Sequence, residues 1–203
     1  MTELSEQEVR TRYITPAIQR AGWSPKQIRE EIFFTDGRIV VRQQMTMRGQ
    51  RKRADYVLYY KNDLPIAIIE AKKDIHPVGF GMPQALAYGT ALDIPFVYSS
   101  NGKGFVEHDR TVTTGTVERD LGLEAFPNPA ALWERYRQWK ALDAAAAEVV
   151  LQEYYYEKDG KSPRYYQRVA INRSIEAIAK GQKRLLLVMA TGTGKTYTAF
   201  QIV

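Results

Sequence analysis

Two apolar runs joined by a short polar turn constrain this chain most, because each carries charge where a strand has no use for it. Residues 54–60 (ADYVLYY) and 65–72 (PIAIIEAK) are rich in β-forming side chains and flank Lys61-Asn62-Asp63. They predict two neighbouring strands. Asp55 opens the first, and Glu70 and Lys72 close the second. Side chains two apart on a strand share a face, so Glu70 and Lys72 project together while Ala71 and Lys73 face away. Unpaired buried charge is costly, so these groups need partners. One solution is a metal site: Asp55 and Glu70 offer oxygens to Mg²⁺, a hard cation. Such an ion activates water and stabilises charge at a phosphodiester, with the Lys72 ammonium beside it. The other is a hairpin that runs out into solvent, leaving Glu70 and Lys72 as an exposed ion pair.

The rest of the chain sets limits. Its 203 residues suffice for one good core and part of a second. A net charge of +6 favours polyanionic partners. With no cysteine, disulfides and thiolate metal sites are excluded, which fits a reducing compartment. The polar start MTELSEQEVR is no secretory signal, and no apolar run reaches membrane-spanning length. A cytoplasmic protein without a membrane partner is expected.

Periodicity and punctuation order the elements. Ser5-Glu6-Gln7-Glu8 fits a capping box, and Val9, Tyr13, Ala17, Ile18 and Ala21 recur at helical spacing until Gly22. A turn or short helix over 24–31 precedes extended segments near 32–34 and 38–42. A basic loop follows at 48–53. After the two central strands, the turn HPVGFGMP leads to a helix over 84–92 and a hairpin of strands at 95–100 and 104–108. Pro127-Asn128-Pro129 marks a boundary. One long alanine-rich helix over 130–152, a polar break at 157–163 and a helix over 165–180 come next. The run RLLLVMA (184–190) reads as a buried strand. A domain over 1–127, a helical linker over 128–163 and a second unit from 164 to 203 are predicted.

MATGTGKT at 189–196 is a phosphate-binding loop in sequence, set between an apolar run and a helix-like TYTAFQIV. Gly192 and Gly194 let the amides of Thr191–Thr196 turn inward on phosphate oxygens, with Thr193 between them. Lys195 would reach the β- and γ-phosphates of ATP, and the Thr196 hydroxyl would ligate its Mg²⁺. The strict pattern asks for glycine where Met189 stands, a departure expected of helicase-type loops. Upstream, Ser162-Pro163-Arg164-Tyr165-Tyr166-Gln167 resembles the adenine-reading Q motif of superfamily 2 helicases, which assigns Gln167 to the adenine edge. The chain ends at Val203, soon after this loop, so a truncated motor with little or no ATP hydrolysis is expected.

Together the two motifs resemble the restriction (R) subunit of type I restriction-modification enzymes. Asp55 with Glu70-Ala71-Lys72 matches a PD-(D/E)xK nuclease core, although Ala54 stands at the nominal proline. Gln84-Ala85-Leu86-Ala87-Tyr88 matches the Q-x-x-x-Y element of such nucleases. Its spacing puts Gln84 and Tyr88 on one helical face. The resemblance implies a mixed α/β fold with an αβββαβ nuclease core, then a helical linker and the start of a RecA-like helicase domain. It implies Mg²⁺ held by Asp55, Glu70 and the Ala71 carbonyl, Lys72 at the attacking water, and supporting roles for Gln84 and Tyr88. The implied reaction is endonucleolytic cleavage of double-stranded DNA after ATP-driven translocation, in a complex with methylation (M) and specificity (S) subunits. Two other readings stay open: the nuclease of another helicase–nuclease defence or repair system, and a DNA-binding or docking module with a silent core.

Other candidates carry less. Glu8 is accounted for by the capping box. Arg48, Arg51, Lys52 and Arg53 suit either a DNA backbone or a solvated loop. His76 and His108 lack ligand spacing, and Asp74 reads as a surface charge.

Overall fold

The computed structural model describes residues 3–35, 40–42, 45–47, 51–156 and 162–203, with the backbone alone at 35, 40–42 and 45–47. Arg48 and most of the 157–163 break lie outside the described residues. A six-stranded mixed sheet organises the chain: β1 (Ile28–Thr35), β4 (Arg51–Lys61), β5 (Leu64–Ala71), β6 (Phe96–Ser100), β7 (Phe105–Asp109) and β8 (Glu118–Leu121), in that order across it. A separate hairpin joins β2 (Val40–Arg42) and β3 (Met45–Met47). Every neighbouring pair in the large sheet is antiparallel except β5 and β6, which run parallel. A parallel pair needs a crossover, and α3 (Met82–Leu92) supplies it.

Each face of the sheet buries its own core. On one face Tyr56, Leu58, Phe96, Tyr98 and Phe105 pack with Val9, Ile14, Ile18, Leu132 and Ala146 of the flanking helices. On the other, Ala54, Val57, Tyr59, Ile68 and Val97 pack with Phe34 and with Met82, Ala85, Tyr88 and Leu92 of α3. β5 lies in the middle, and Ile66, Ile68 and Ile69 are fully buried. Strands covered on both faces read as continuous apolar runs, which explains PIAIIEA.

The first helix is capped as expected, since Ser5 and Glu8 exchange both hydrogen bonds of the capping box. It then differs from a regular helix. Between α1 (Glu6–Val9) and α2 (Thr15–Arg20) the turn Arg10–Ile14 is a π turn. The wider turn rotates the buried face, so Ile14 and Arg10 go inward and Tyr13 stays exposed.

Four further expectations are corrected. The single helix over 130–152 is two, α4 (Pro129–Trp139) and α5 (Ala144–Val150). Ala141 adopts a left-handed backbone and the Asp143 side chain caps α5, so a new N-terminus begins there. Arg51–Arg53 are the first residues of β4 rather than a loop, paired with Phe33–Thr35 of β1. The expected turn or helix over 24–31 is a turn over 25–27 only, and β1 runs on from Ile28. The apolar run 184–190 forms no strand, because no described segment offers it a hydrogen-bonding neighbour. The chain closes with α6 (Tyr165–Ala179) and α7 (Lys195–Phe200). No helix among the described residues is long and apolar enough to cross a membrane.

Candidate functional site

The middle of β4, the end of β5 and the first two turns of α3 bring five predicted residues together. Antiparallel register pairs Tyr56 with Ile69, which sets Asp55 beside Glu70 across the two strands. Asp55 is 5% exposed, and its Oδ2 accepts the Ala71 N–H at 2.9 Å. Glu70 is 2% exposed; its Oε1 accepts Lys72 Nζ at 2.8 Å, and its Oε2 is buried without a partner. Lys72 Nζ also donates to Gln84 Oε1 at 3.3 Å, and Gln84 Nε2 donates to the Tyr88 hydroxyl at 3.0 Å. Strand alternation puts Glu70 and Lys72 on the face that α3 covers, and the i, i+4 spacing aligns Gln84 with Tyr88. The solvent-exposed ion pair is thereby excluded, since the Lys72 side chain is only 14% exposed.

Backbone shape lets the loop after β5 close on this cluster. A Cβ at Gly81 would lie 3.0 Å from both Glu70 Cγ and Ser99 Oγ, so any larger residue would push those side chains aside by a few tenths of an ångström. The Gly81 amide donates to Ser99 Oγ, and that hydroxyl donates to the Val78 carbonyl.

Electrostatics mark Glu70 as the unusual group. Burial, and then the charge of Asp55, push its carboxyl up to about 7 against the opposing pull of Lys72. Burial lowers the Lys72 ammonium, but the Glu70 hydrogen bond and charge outweigh it and leave the value raised. A carboxylate with one oxygen on a lysine and one bare is short of positive charge. The chemistry of that bare oxygen would fit a divalent cation. Among the described residues no three His, Cys, Asp or Glu side chains gather to hold a metal. A cation at Asp55 and Glu70 would therefore draw further oxygens from the main chain, water or a phosphate.

Sequence reasoning missed two charged neighbours. Glu6 adds a third carboxylate whose charge reaches both Glu70 and Lys72. The capping box already accounts for Glu8, also bridged to Arg12, so the other acid of that turn was the signal to follow. Glu31 has φ +53 and stands out of the ladder between the pairs Glu30–Tyr56 and Ile32–Ala54, opposite Asp55. Its carboxylate bridges Arg10 at 3.0 Å and Arg53 at 3.3 Å. A break in pairing beside a site re-aims its side chains. Lys73 points away as expected, to Glu3. Asp74 is more than a surface charge, because its Oδ1 accepts the Leu4 N–H.

The residues predicted to form a phosphate-binding loop are arranged differently. Gly192 and Gly194 have φ +77 and +82, left-handed values that favour glycine. Thr191, Gly192, Lys195 and Thr196 are exposed, and Lys195 Nζ donates to the Met189 carbonyl at 3.2 Å. Gln167 spans two elements: its Oε1 accepts the Arg164 N–H at 2.8 Å and its Nε2 donates to the Thr193 carbonyl at 3.0 Å. The glutamine therefore ties α6 to the loop.

Comparison with known proteins defines the class first. Residues 38–115 match the family model described as type I restriction enzyme R protein N terminus, and residues 160–203 match the model for the type III restriction enzyme res subunit. A restriction-enzyme subunit is the class these matches define. The chain is 48% identical over 205 residues to the type I restriction enzyme EcoAI endonuclease subunit of Escherichia coli, covering 100% of this chain and 25% of that one. It is 30% identical over 199 residues to the EcoKI endonuclease subunit of E. coli strain K12, covering 76% and 17%. A solved fragment described as an HsdR subunit of a type I restriction enzyme from Vibrio vulnificus YJ016 superposes with TM-score 0.84 at 40% identity, covering 100% and 38%. The chain belongs to the type I restriction enzyme R-subunit family and corresponds to the N-terminal part of that subunit. It spans about a quarter of the length of the first of these relatives.

Proposed function

We propose that this chain carries the metal-dependent nuclease of a type I restriction enzyme, a PD-(D/E)xK core that hydrolyses phosphodiester bonds of double-stranded DNA. The observation that carries the reading is the Glu70 carboxylate, buried beside Asp55 with one oxygen on Lys72 and the other unpartnered. Asp55, Glu70 and the Ala71 carbonyl would hold Mg²⁺. The cation, when bound, supplies charge stabilisation at the scissile phosphate. Lys72 keeps its proton and holds an ammonium where the attacking water must be oriented. Gln84 fixes that ammonium from the α3 side, and Tyr88 fixes Gln84.

The nuclease unit would span 1–127, with a helical linker over 128–163 and the start of an ATP-driven translocating motor over 164–203. ATP phosphates and their Mg²⁺ would sit at Thr191–Thr196, and methylation and specificity subunits would complete the complex. The left-handed glycines of the loop and its tie to Gln167 support that part of the reading.

Titration calorimetry with Mn²⁺ tests the site, with and without duplex DNA, on the wild type, Asp55→Ala and Glu70→Ala. Binding in the wild type that both substitutions abolish is expected. Binding that survives both would move the metal elsewhere and remove the basis of the assignment.

A further inference from the structure

The nuclease cluster does not end at Tyr88. The Tyr88 ring meets Phe34 of β1 edge-on, with centroids 5.0 Å apart and planes at 87°. Phe34 is buried, and its ring meets Tyr165 at 6.0 Å and 65°. Tyr165 is the first residue of α6, and it packs against the core that α3 covers. The adjoining side chains of α6 turn the other way. Tyr166 OH and Gln167 Nε2 both donate to the Thr193 carbonyl of the phosphate loop. One helical turn thus touches both halves of the chain.

A second attachment holds that turn in place. Asp63, in the turn between the strands that carry Asp55 and Glu70, is buried under residues from beyond the nuclease unit. It accepts the Tyr154 N–H and the Tyr156 hydroxyl, while its carbonyl accepts Asn172 Nδ2 at 2.9 Å. The Arg168 guanidinium lies over the Tyr59 ring at 5.6 Å. Helix α6 is therefore pinned to the β4–β5 hairpin at its closed end, and Tyr165 reaches Phe34 near the open end.

We propose that Phe34 and Tyr165 are positioning residues of the nuclease site, so that α6 completes a site whose catalytic groups all lie before residue 90. The proposal rests on the nuclease reading above. Lys72 ends in a flexible ammonium, and Gln84 can aim it only while Tyr88 fixes the Gln84 amide. Tyr88 has Lys52 Nζ at 5.9 Å over its ring and Phe34 at its edge. The phenol hydroxyl keeps its place only if the ring is held, and Tyr165 braces the ring that does so. Outer groups that orient inner ones commonly change rates about tenfold to a hundredfold, because small misplacements of reacting groups are expensive.

The test is DNA cleavage by the assembled restriction complex carrying Phe34→Leu, Tyr165→Ala or Tyr165→Phe, with Lys72→Ala as reference. Phe34→Leu and Tyr165→Ala should each lower kcat on the order of tenfold with KM for DNA unchanged, and Tyr165→Phe should restore the rate because the ring remains. A purely structural role would lower the melting temperature and leave kcat at the wild-type level. Should Phe34→Leu fail to fold, the Tyr165 pair still decides. In parallel, 3-fluorotyrosine at position 88 of this chain should shift its fluorine resonance in Tyr165→Ala but not in Tyr165→Phe. Wild-type cleavage in both Phe34→Leu and Tyr165→Ala, with Lys72→Ala inactive, would overturn the proposal alone. Normal cleavage by Lys72→Ala would overturn the nuclease reading instead, and the fluorine signal would still report whether Tyr165 holds Tyr88.

Discussion

β5 and the run 184–190 look alike in sequence and end in opposite situations. Each is a block of branched and aliphatic residues, and each leads within a few positions to charged groups, Glu70 and Lys72 in one case and Lys195 in the other. β5 is hydrogen-bonded to β4 on one edge and β6 on the other, and Ile66, Ile68 and Ile69 are fully buried. The second run pairs with no described strand, and Leu186 and Val188 are 88% and 87% exposed. Apolar sequence states a demand for burial, but a strand also needs neighbours for its backbone groups. The difference passes to the groups each run carries. Glu70 and Lys72 stand on a fixed ladder, whereas Lys195 follows an exposed segment and rests on a single carbonyl.

Truncation of Ile68 tests the packed strand most directly. It lies between Val57 and Val97 in register and is fully buried, so Ile68→Ala should cost about 2–5 kcal/mol. Urea denaturation checks it. A loss below about 0.5 kcal/mol, the size of a surface change, would mean the centre of the sheet is not the packed ladder described.

A smaller effect follows from Glu70. Its carboxyl is raised to about 7 in the fold from an ordinary 4.5, so the native state holds a proton that the unfolded chain has released. Stability of the metal-free protein should fall as pH rises from about 4.5 to about 7, by up to about 3 kcal/mol, because the unfolded state binds fewer protons across that window. Glu70→Gln, which cannot titrate, should flatten that dependence. Added Mn²⁺ should restore stability mainly above pH 7, where the carboxylate is ionised and available as a ligand. Melting curves over pH measure both effects, and an equal slope in Glu70→Gln would assign the titration to another group.

How far the sequence foretold this site depends on distance along the chain. Asp55, Glu70 and Lys72 lie on one hairpin, and Gln84 and Tyr88 on one helical face, so local periodicity was enough to group each set. Joining the sets is work for the parallel crossover from β5 through α3 to β6. Asp63 gave no sign of its role, because a polar turn residue is unremarkable until Tyr154 and Tyr156 arrive from more than ninety positions away. Tyr165 was ambiguous for the same reason: its contact, Phe34, lies on a strand near the opposite end of the sequence. Other departures were local but subtle. A π turn changes which residues of the first helix face inward without altering composition, and Ala141 gives no warning of a left-handed break in an alanine-rich helix. Glu6 was hidden by its neighbour, since Glu8 offered the more recognisable capping pattern.

Polar substitution within 184–190 probes the exposed run. Because the run 184–190 lacks strand neighbours among the described residues, polar substitution there should be nearly free. Leu186→Ser removes a side chain that is 88% exposed, so the stability of this chain should change by no more than about 0.5 kcal/mol. The same serine at Ile68 would bury a hydroxyl and open a cavity, costing more than the alanine substitution. Urea denaturation of the two serine variants side by side measures the contrast. Equal destabilisation would show that 184–190 finds a covered position, and the distinction between a strand that has its neighbours and one that lacks them would fail. A large gap would show instead that the apolar side chains of 184–190 contribute little to the packing of this chain, because hydrophobic character stabilises a fold only where it is covered.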